Sequence, residues 1–143
     1  MEFYDHIAVT NFALTWFMVG LIWLVQIVNY PLFRFVEIND FVKYHKSHVK
    51  RITPIVSSIM ILEASAAVLL LIIPTNETNK SSALINLLFL AGIWLSTALL
   101  QLPMHNKLNI LKNSQTINQL IISNWSRTVL WSLKGFWAWV LLT

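Results

Sequence analysis

Residues 52–73 read ITPIVSSIMILEASAAVLLLII, an apolar run interrupted by one formal charge, Glu63. At 1.5 Å per residue, such a stretch crosses the ~30 Å hydrocarbon core of a bilayer as a helix. The alternation of a membrane β-strand is missing. Backbone N–H and C=O groups in lipid must bond within their own segment, which leaves the helix as the folded form. A carboxylate in mid-span is costly unless it is neutral or paired, so Glu63 marks a place with a partner or a task.

Three further runs of similar length lie around it, at about 7–30, 83–102 and 124–142. Of the 143 residues, 57% are hydrophobic and 11% charged, against about 25% charged in soluble domains. The same apolar content excludes intrinsic disorder. The absence of cysteine excludes a disulfide scaffold, a thiolate metal centre and thiol catalysis. No internal repeat or second domain is visible, so residues 1–143 are expected to form a single transmembrane domain. The predicted fold is all-α: an integral membrane four-helix bundle, up-down-up-down.

Pro31, Pro74 and Pro103 each mark the exit of a span, and Pro54 marks a possible kink near the start of the second. Asp40 is placed to cap a helix that leads through Tyr44, His45 and His48 into that span. Residues 74–82 (PTNETNKSS) predict a polar turn, while 108–123 either lie on the membrane surface or extend the fourth helix.

Lysine and arginine set the orientation. Arg34, Lys43, Lys46, Lys50, Arg51, Lys107 and Lys112 follow the first and third spans, and Lys80 alone falls on the opposite side, a seven-to-one split. Both termini are therefore expected outside and the basic loops in the cytoplasm, in a multi-pass protein of a cell (inner) membrane. The first span lacks the basic n-region and A-x-A site of a cleaved signal peptide. The net charge of +4 answers to anionic lipid in the bilayer. No recognition helix or basic stripe points to nucleic acid. Tyr30, Tyr44 and Trp125 are expected as anchors at the inner interface, and Phe136, Trp137 and Trp139 at the outer one. Gly92 with Ser96, and the small residues of 64–67, allow close helix approach. A homo-oligomer could add a path between copies.

Polar residues gather toward the inner ends of the spans: Gln26, Asn29, His45, His48, Arg51, Thr53, Gln101, His105, Asn106, Asn124 and Arg127. Up-down helices bring those ends together, so a polar pocket near the cytoplasmic face is expected. His45 and His48 share one helix face by i, i+3 spacing. With His105 from the third span they are the candidate ligands for a transition metal, Fe, Cu or Zn, with haem a lesser alternative. Glu63 lies ~22 Å beyond His48 on a straight helix. It joins the histidines only if the chain breaks near Pro54; otherwise it serves the deep end as a proton acceptor, with Gln26, Ser96, Thr97 or Lys134 as partner. Arg127 either snorkels to headgroups or faces the pocket, where it could hold an oxyanion. Glu63 and Arg127 are thus the candidate catalytic residues. Gln26, Asn29, Arg51, Gln101, Asn106 and Asn124 are the candidate binding residues.

QIVNYPLF (26–33), YHKSHVKRIT (44–53), Glu63, LQLPMHNKL (100–108) and NWSRT (124–128) together resemble a group of small four-span bacterial membrane proteins. The last two segments are also similar to the broader anthrone-oxygenase-like family. That family shows a proline, a short polar stretch and leucine after the third span, then a W/N-x-x-R-T element. Pro103, Asn106, Leu108, Asn124, Arg127 and Thr128 match it here, while the three histidines stand outside it. The resemblance implies oxygenation of a hydrophobic, phenol-like or polycyclic substrate, in some members without an added cofactor.

Two classes of function are therefore expected. One is a metal-dependent oxidoreductase or oxygenase acting on a hydrophobic small molecule. The alternative is a non-catalytic binding module or carrier for a lipid, quinone, haem or ion, or an accessory membrane subunit.

Overall fold

The computed structural model describes residues 2–73 and 76–142, all helical apart from short connections, with no strand among them. Four helical rods make up the described residues. The first joins α1 (Glu2–Leu24), a π-helical turn (Val25–Asn29), α2 (Tyr30–Leu32) and a 3-10 turn (Phe33–Phe35). The second is one helix, α3 (Ile38–Ile72). The third joins α4 (Glu77–Ser96), a π-helical turn (Thr97–Gln101) and α5 (Leu102–Leu108), and the fourth is α6 (Ser114–Val140).

Three rods are long and apolar enough to cross a membrane, over Phe3–Phe35, Ile38–Ile72 and Glu77–Leu108. The fourth has 27 residues but a more polar composition. From residue 124 onward its large polar side chains point inward: Asn124, Arg127 and Lys134 are buried, as is Thr128, while Val129, Phe136 and Trp139 face out. Large apolar side chains such as Phe17, Ile61 and Leu99 likewise face outward from the other rods. That is the reverse of a soluble bundle, and it fits association with a lipid bilayer.

Several expected helix ends move. Pro31 and Pro103 do not end their rods. The missing N–H and the ring clash of a proline disturb the turn before it, and a π-helical turn absorbs each disturbance. The N–H of Tyr30 bonds Val25 O, and that of Leu102 bonds Thr97 O, five residues back in both cases. Each inserted residue rotates the rest of its rod by about 100°. Pro54 sits inside α3 without ending it. Asp40 lies in the first turn of α3 rather than capping it, because the helix starts at Ile38 after Glu37. The span exit at Pro74, and the first part of the 74–82 turn, lie outside the described residues; the third rod already begins at Glu77, with Asn76 Oδ1 accepting from Asn79 N at 2.8 Å. Residues 114–123 extend the fourth rod. Asn113 makes that possible, its Oδ1 accepting from Thr116 N at 2.8 Å and satisfying a free N–H of the first turn.

The rods form a ring in which the first and third each pack against the second and fourth. A Cβ on Gly135 would meet Val19 at 3.2 Å and Trp16 at 3.4 Å, so glycine lets the first and fourth rods close up. One apolar cluster, including Met18, Ile22, Ile93, Leu120 and Trp131, occupies the bundle toward the histidines, and a smaller one around Ala8, Leu70 and Ala83 fills the far end. Apolar contact between rods gains little where the alternative is lipid. Specific polar contacts therefore decide how the rods align.

Candidate functional site

The first connection is fastened to the fourth rod and to the segment just before it. Lys112 Nζ donates to Val36 O and to Arg34 O, and the Arg34 guanidinium donates to Asn118 Oδ1. This clamp, with the turn before Pro31, holds Tyr30 inside the bundle at 4% exposure rather than at the interface as an anchor. The turn before Pro103 does the same for His105. The two side chains meet, Tyr30 Oη lying 2.9 Å from His105 Nε2.

Tyr30 and His105 belong to a longer chain. His105 Nδ1 is 2.9 Å from His45 Nε2, and His45 Nδ1 is 2.9 Å from Asn109 Oδ1. At the other end, Arg127 Nη2 donates to Tyr30 Oη at 3.2 Å. The donor directions follow from the ends. An amide oxygen only accepts, so His45 Nδ1 carries hydrogen and its Nε2 accepts from His105 Nδ1. His105 Nε2 then accepts from the Tyr30 hydroxyl, whose oxygen accepts from Arg127. Each neutral imidazole has one donor and one acceptor, and the order uses all four ring nitrogens without conflict.

Arg127 is held from behind. Asn124 Oδ1 accepts from its Nε and its Nη2, while Asn124 Nδ2 donates to Gln26 Oε1 at 2.8 Å. Gln26 Nε2 donates onward to Ile121 O. The guanidinium therefore faces the bundle at 6% exposure and does not snorkel.

Tyr30, His105 and Arg127 line one end of a cavity of about 370 Å³. Its walls are largely apolar, with Met18, Ile22, Val25, Val56, Met60 and Trp131 among them. The exposed rim consists of Thr53, Ser57 and Ile61 on the second rod and Trp94, Ala98 and Leu102 on the third. The cavity thus opens sideways, between two rods able to cross a membrane.

No family model matches the chain, and no curated protein or solved structure matches it. The site's chemistry is read from its own residues.

A second buried centre lies deeper. Lys134 Nζ and Glu63 Oε1 form an ion pair at 2.7 Å, with both side chains at 0% exposure. Thr15 Oγ1 donates to Glu63 Oε1 and accepts from Lys134 Nζ, each at 2.7 Å. Trp131 Nε1 donates to Glu63 Oε2 at 3.3 Å while its ring lines the cavity. Since α3 runs unbroken through Pro54, Glu63 stays far from the histidines, and its partner is Lys134 rather than Gln26, Ser96 or Thr97.

The residues expected at the site divide. His45, His105, Arg127, Asn124 and Gln26 come together. Gln101 lines the cavity, accepting from Ser96 and donating to Ser123. Asn29 is half-buried outside the network, and Arg51 and Asn106 are exposed. His48 packs edge-on against Phe33 with its Nε2 buried and unpartnered, apart from the other two imidazoles' shared bond. Among the described residues no three His, Cys, Asp or Glu side chains stand close enough to hold one metal ion. The set His45, His48 and His105 is therefore not assembled as ligands, and its two central rings spend their nitrogens on hydrogen bonds. Sequence reading missed Asn109, Thr15 and Trp131 as partners. Thr15 follows Asn11 by one helical turn on the first span, a polar pair on one face that could have pointed to it.

Proposed function

We propose that the chain is a multi-pass protein of the inner cell membrane, four rods up-down-up-down with both termini outside. Its cavity takes a hydrophobic, phenol-like molecule from the bilayer and removes a proton from it, as the first step of an oxidoreductase or oxygenase reaction. One observation carries this reading: the hydrogen-bonded chain Arg127–Tyr30–His105–His45–Asn109 ends in an apolar, laterally open cavity.

The proton moves in balanced steps. A ligand hydroxyl donates to Tyr30 Oη, and the Tyr30 proton passes to His105 Nε2. The Nδ1 proton of His105 passes to His45 Nε2, leaving His45 doubly protonated with Nδ1–H still on Asn109. The ligand is left as an oxyanion facing the Arg127 guanidinium, a charge-assisted contact stronger than a neutral one. An electron-rich phenolate is the form prepared for oxidation, and the resemblance to anthrone-oxygenase-like proteins favours dioxygen as co-substrate.

Trp94 and Trp131 line the cavity, so their fluorescence reports occupancy. Titrating the protein in lipid nanodiscs with a long-chain alkylphenol is expected to give saturable quenching. Ala98→Trp, which fills the rim, is expected to abolish it. Quenching that never saturates, or that is equal in this variant, removes the pocket. Stoichiometric iron, copper or zinc that disappears in His45→Ala replaces the reading with a metal-based one.

A further inference from the structure

Proton removal at the cavity leaves the Glu63–Lys134 pair, and the polar groups beyond it, without a task. On the first rod Tyr4, Asn11, Thr15 and Gln26 recur at intervals of 7, 4 and 11 residues, each close to a whole number of turns, and all four are buried. Asn86 of the third rod faces this stripe, its Nδ2 donating to Asn11 Oδ1 at 3.4 Å. Tyr4 Oη, Asn11 Nδ2 and Asn86 Oδ1 are buried with no hydrogen-bond partner among the described residues. A bundle that only packs in lipid has no use for such groups, since each is costly there.

These groups form a column. The far end holds Tyr4, Asn11 and Asn86. The middle holds Thr15, Glu63 and Lys134, tied together at 2.7 Å. The histidine end holds Tyr30, His105, His45 and Asn109 in one hydrogen-bonded line. Between the middle and the histidine end lies the cavity of about 370 Å³, bounded by Met60 and Trp131 on one side and by Arg127, Tyr30 and His105 on the other. At ~30 Å³ per water it has room for a bridging chain, for which Thr97, Gln101, Arg127, Tyr30 and His105 on its wall supply polar partners.

We propose that this column conducts protons from one face of the bundle to the other, with the Glu63–Lys134 pair as its central exchange point. A proton arriving past Asn11 and Thr15 adds to the Glu63 carboxylate and weakens its hold on Lys134. It leaves through water in the cavity to Tyr30 and by the same handovers to His45, which gives up its Nδ1 proton to water beside half-buried Asn109, and the two imidazoles turn over to restore the starting order. The ion pair re-forms behind it. No electron moves, and the proton count balances at each step. The inference shares the membrane reading of the site but not the phenol-like ligand.

The test uses the full chain in phosphatidylcholine–phosphatidylglycerol vesicles with a trapped pH-sensitive dye and a potassium diffusion potential set by valinomycin. The wild type is expected to acidify the lumen faster than protein-free vesicles. Glu63→Gln is expected to return the rate to the protein-free level. The double variant Glu63→Leu with Lys134→Met, which keeps the packing but removes both charges, is expected to do the same. Asn11→Leu is expected to slow the flux while leaving alkylphenol quenching unchanged. Wild-type vesicles that acidify no faster than protein-free ones overturn the proposal. So do Glu63→Gln and double-variant proteins that conduct like the wild type. The dye reads the column and the alkylphenol titration reads the pocket, so either can fail without the other.

Discussion

Lys134→Met is expected to destabilise the protein by about 3–5 kcal/mol, the usual cost of removing one partner of a buried ion pair. The cost falls on Glu63. Its carboxylate would keep the Thr15 hydroxyl and the Trp131 N–H and lose the cation paired with it. An ordinary interhelical hydrogen bond in a membrane contributes only about 0.6 kcal/mol. The pair should therefore outweigh any single polar contact at the histidine end. Glu63→Leu combined with Lys134→Met is expected to recover most of the loss, because two apolar side chains of similar size leave no charge uncompensated. Unfolding in mixed micelles of rising dodecyl sulfate fraction reads both. A single variant as stable as the wild type would mean that water or lipid headgroups reach the pair.

The second large effect belongs to Arg127. Among the described residues its guanidinium is the one Lys or Arg group on the cavity wall, and a hydrogen bond to a charged group contributes about 1.5–3 kcal/mol. Arg127→Met is therefore expected to weaken alkylphenol binding by ~10- to 100-fold in Kd. Arg127→Lys should rescue little, because an ammonium cannot hold both Asn124 and Tyr30 as the planar fork does. Tyr30→Phe should divide the two roles. It keeps the apolar wall and the cation, so binding should persist, but it cuts the path to His105. The bound phenol should then lose the red-shifted absorption of its phenolate, which the wild type is expected to show. Equal phenolate absorption in wild type and Tyr30→Phe would remove the relay from the reaction.

The fold and half of the site were legible for different reasons. Length and apolarity predict four rods, because lipid leaves a helix no alternative, and among the described residues three of the four are long and apolar enough to span. For Arg127 the sequence left headgroups and pocket open, and for Glu63 it left Gln26, Ser96, Thr97 or Lys134 as partner; the inward turn of Arg127 and the Glu63–Lys134 pair found here accord with the rule that a polar group in a membrane helix faces protein. Other features escaped because they depend on local backbone geometry. Proline read as a stop signal became a π-helical turn that re-aims Tyr30 and His105. Tyr30 had the composition of an interfacial anchor, and only the rotation places it inside. Asn109 lies in a connection where no periodicity operates. His45 and His48 do share a helix face, yet a shared face does not settle what a ring bonds to: His45 takes Asn109 and His105, while His48 turns to Phe33.

The surplus residue in each π-helical turn makes chain length itself an ingredient of the site. Deleting one residue within 25–29 would relax that turn to ordinary helix and swing Tyr30 by about 100° into the surrounding lipid. Every reactive side chain would still be present, but they would be scattered. Gains and losses of single residues, usually harmless in surface loops, would here do more damage than most substitutions.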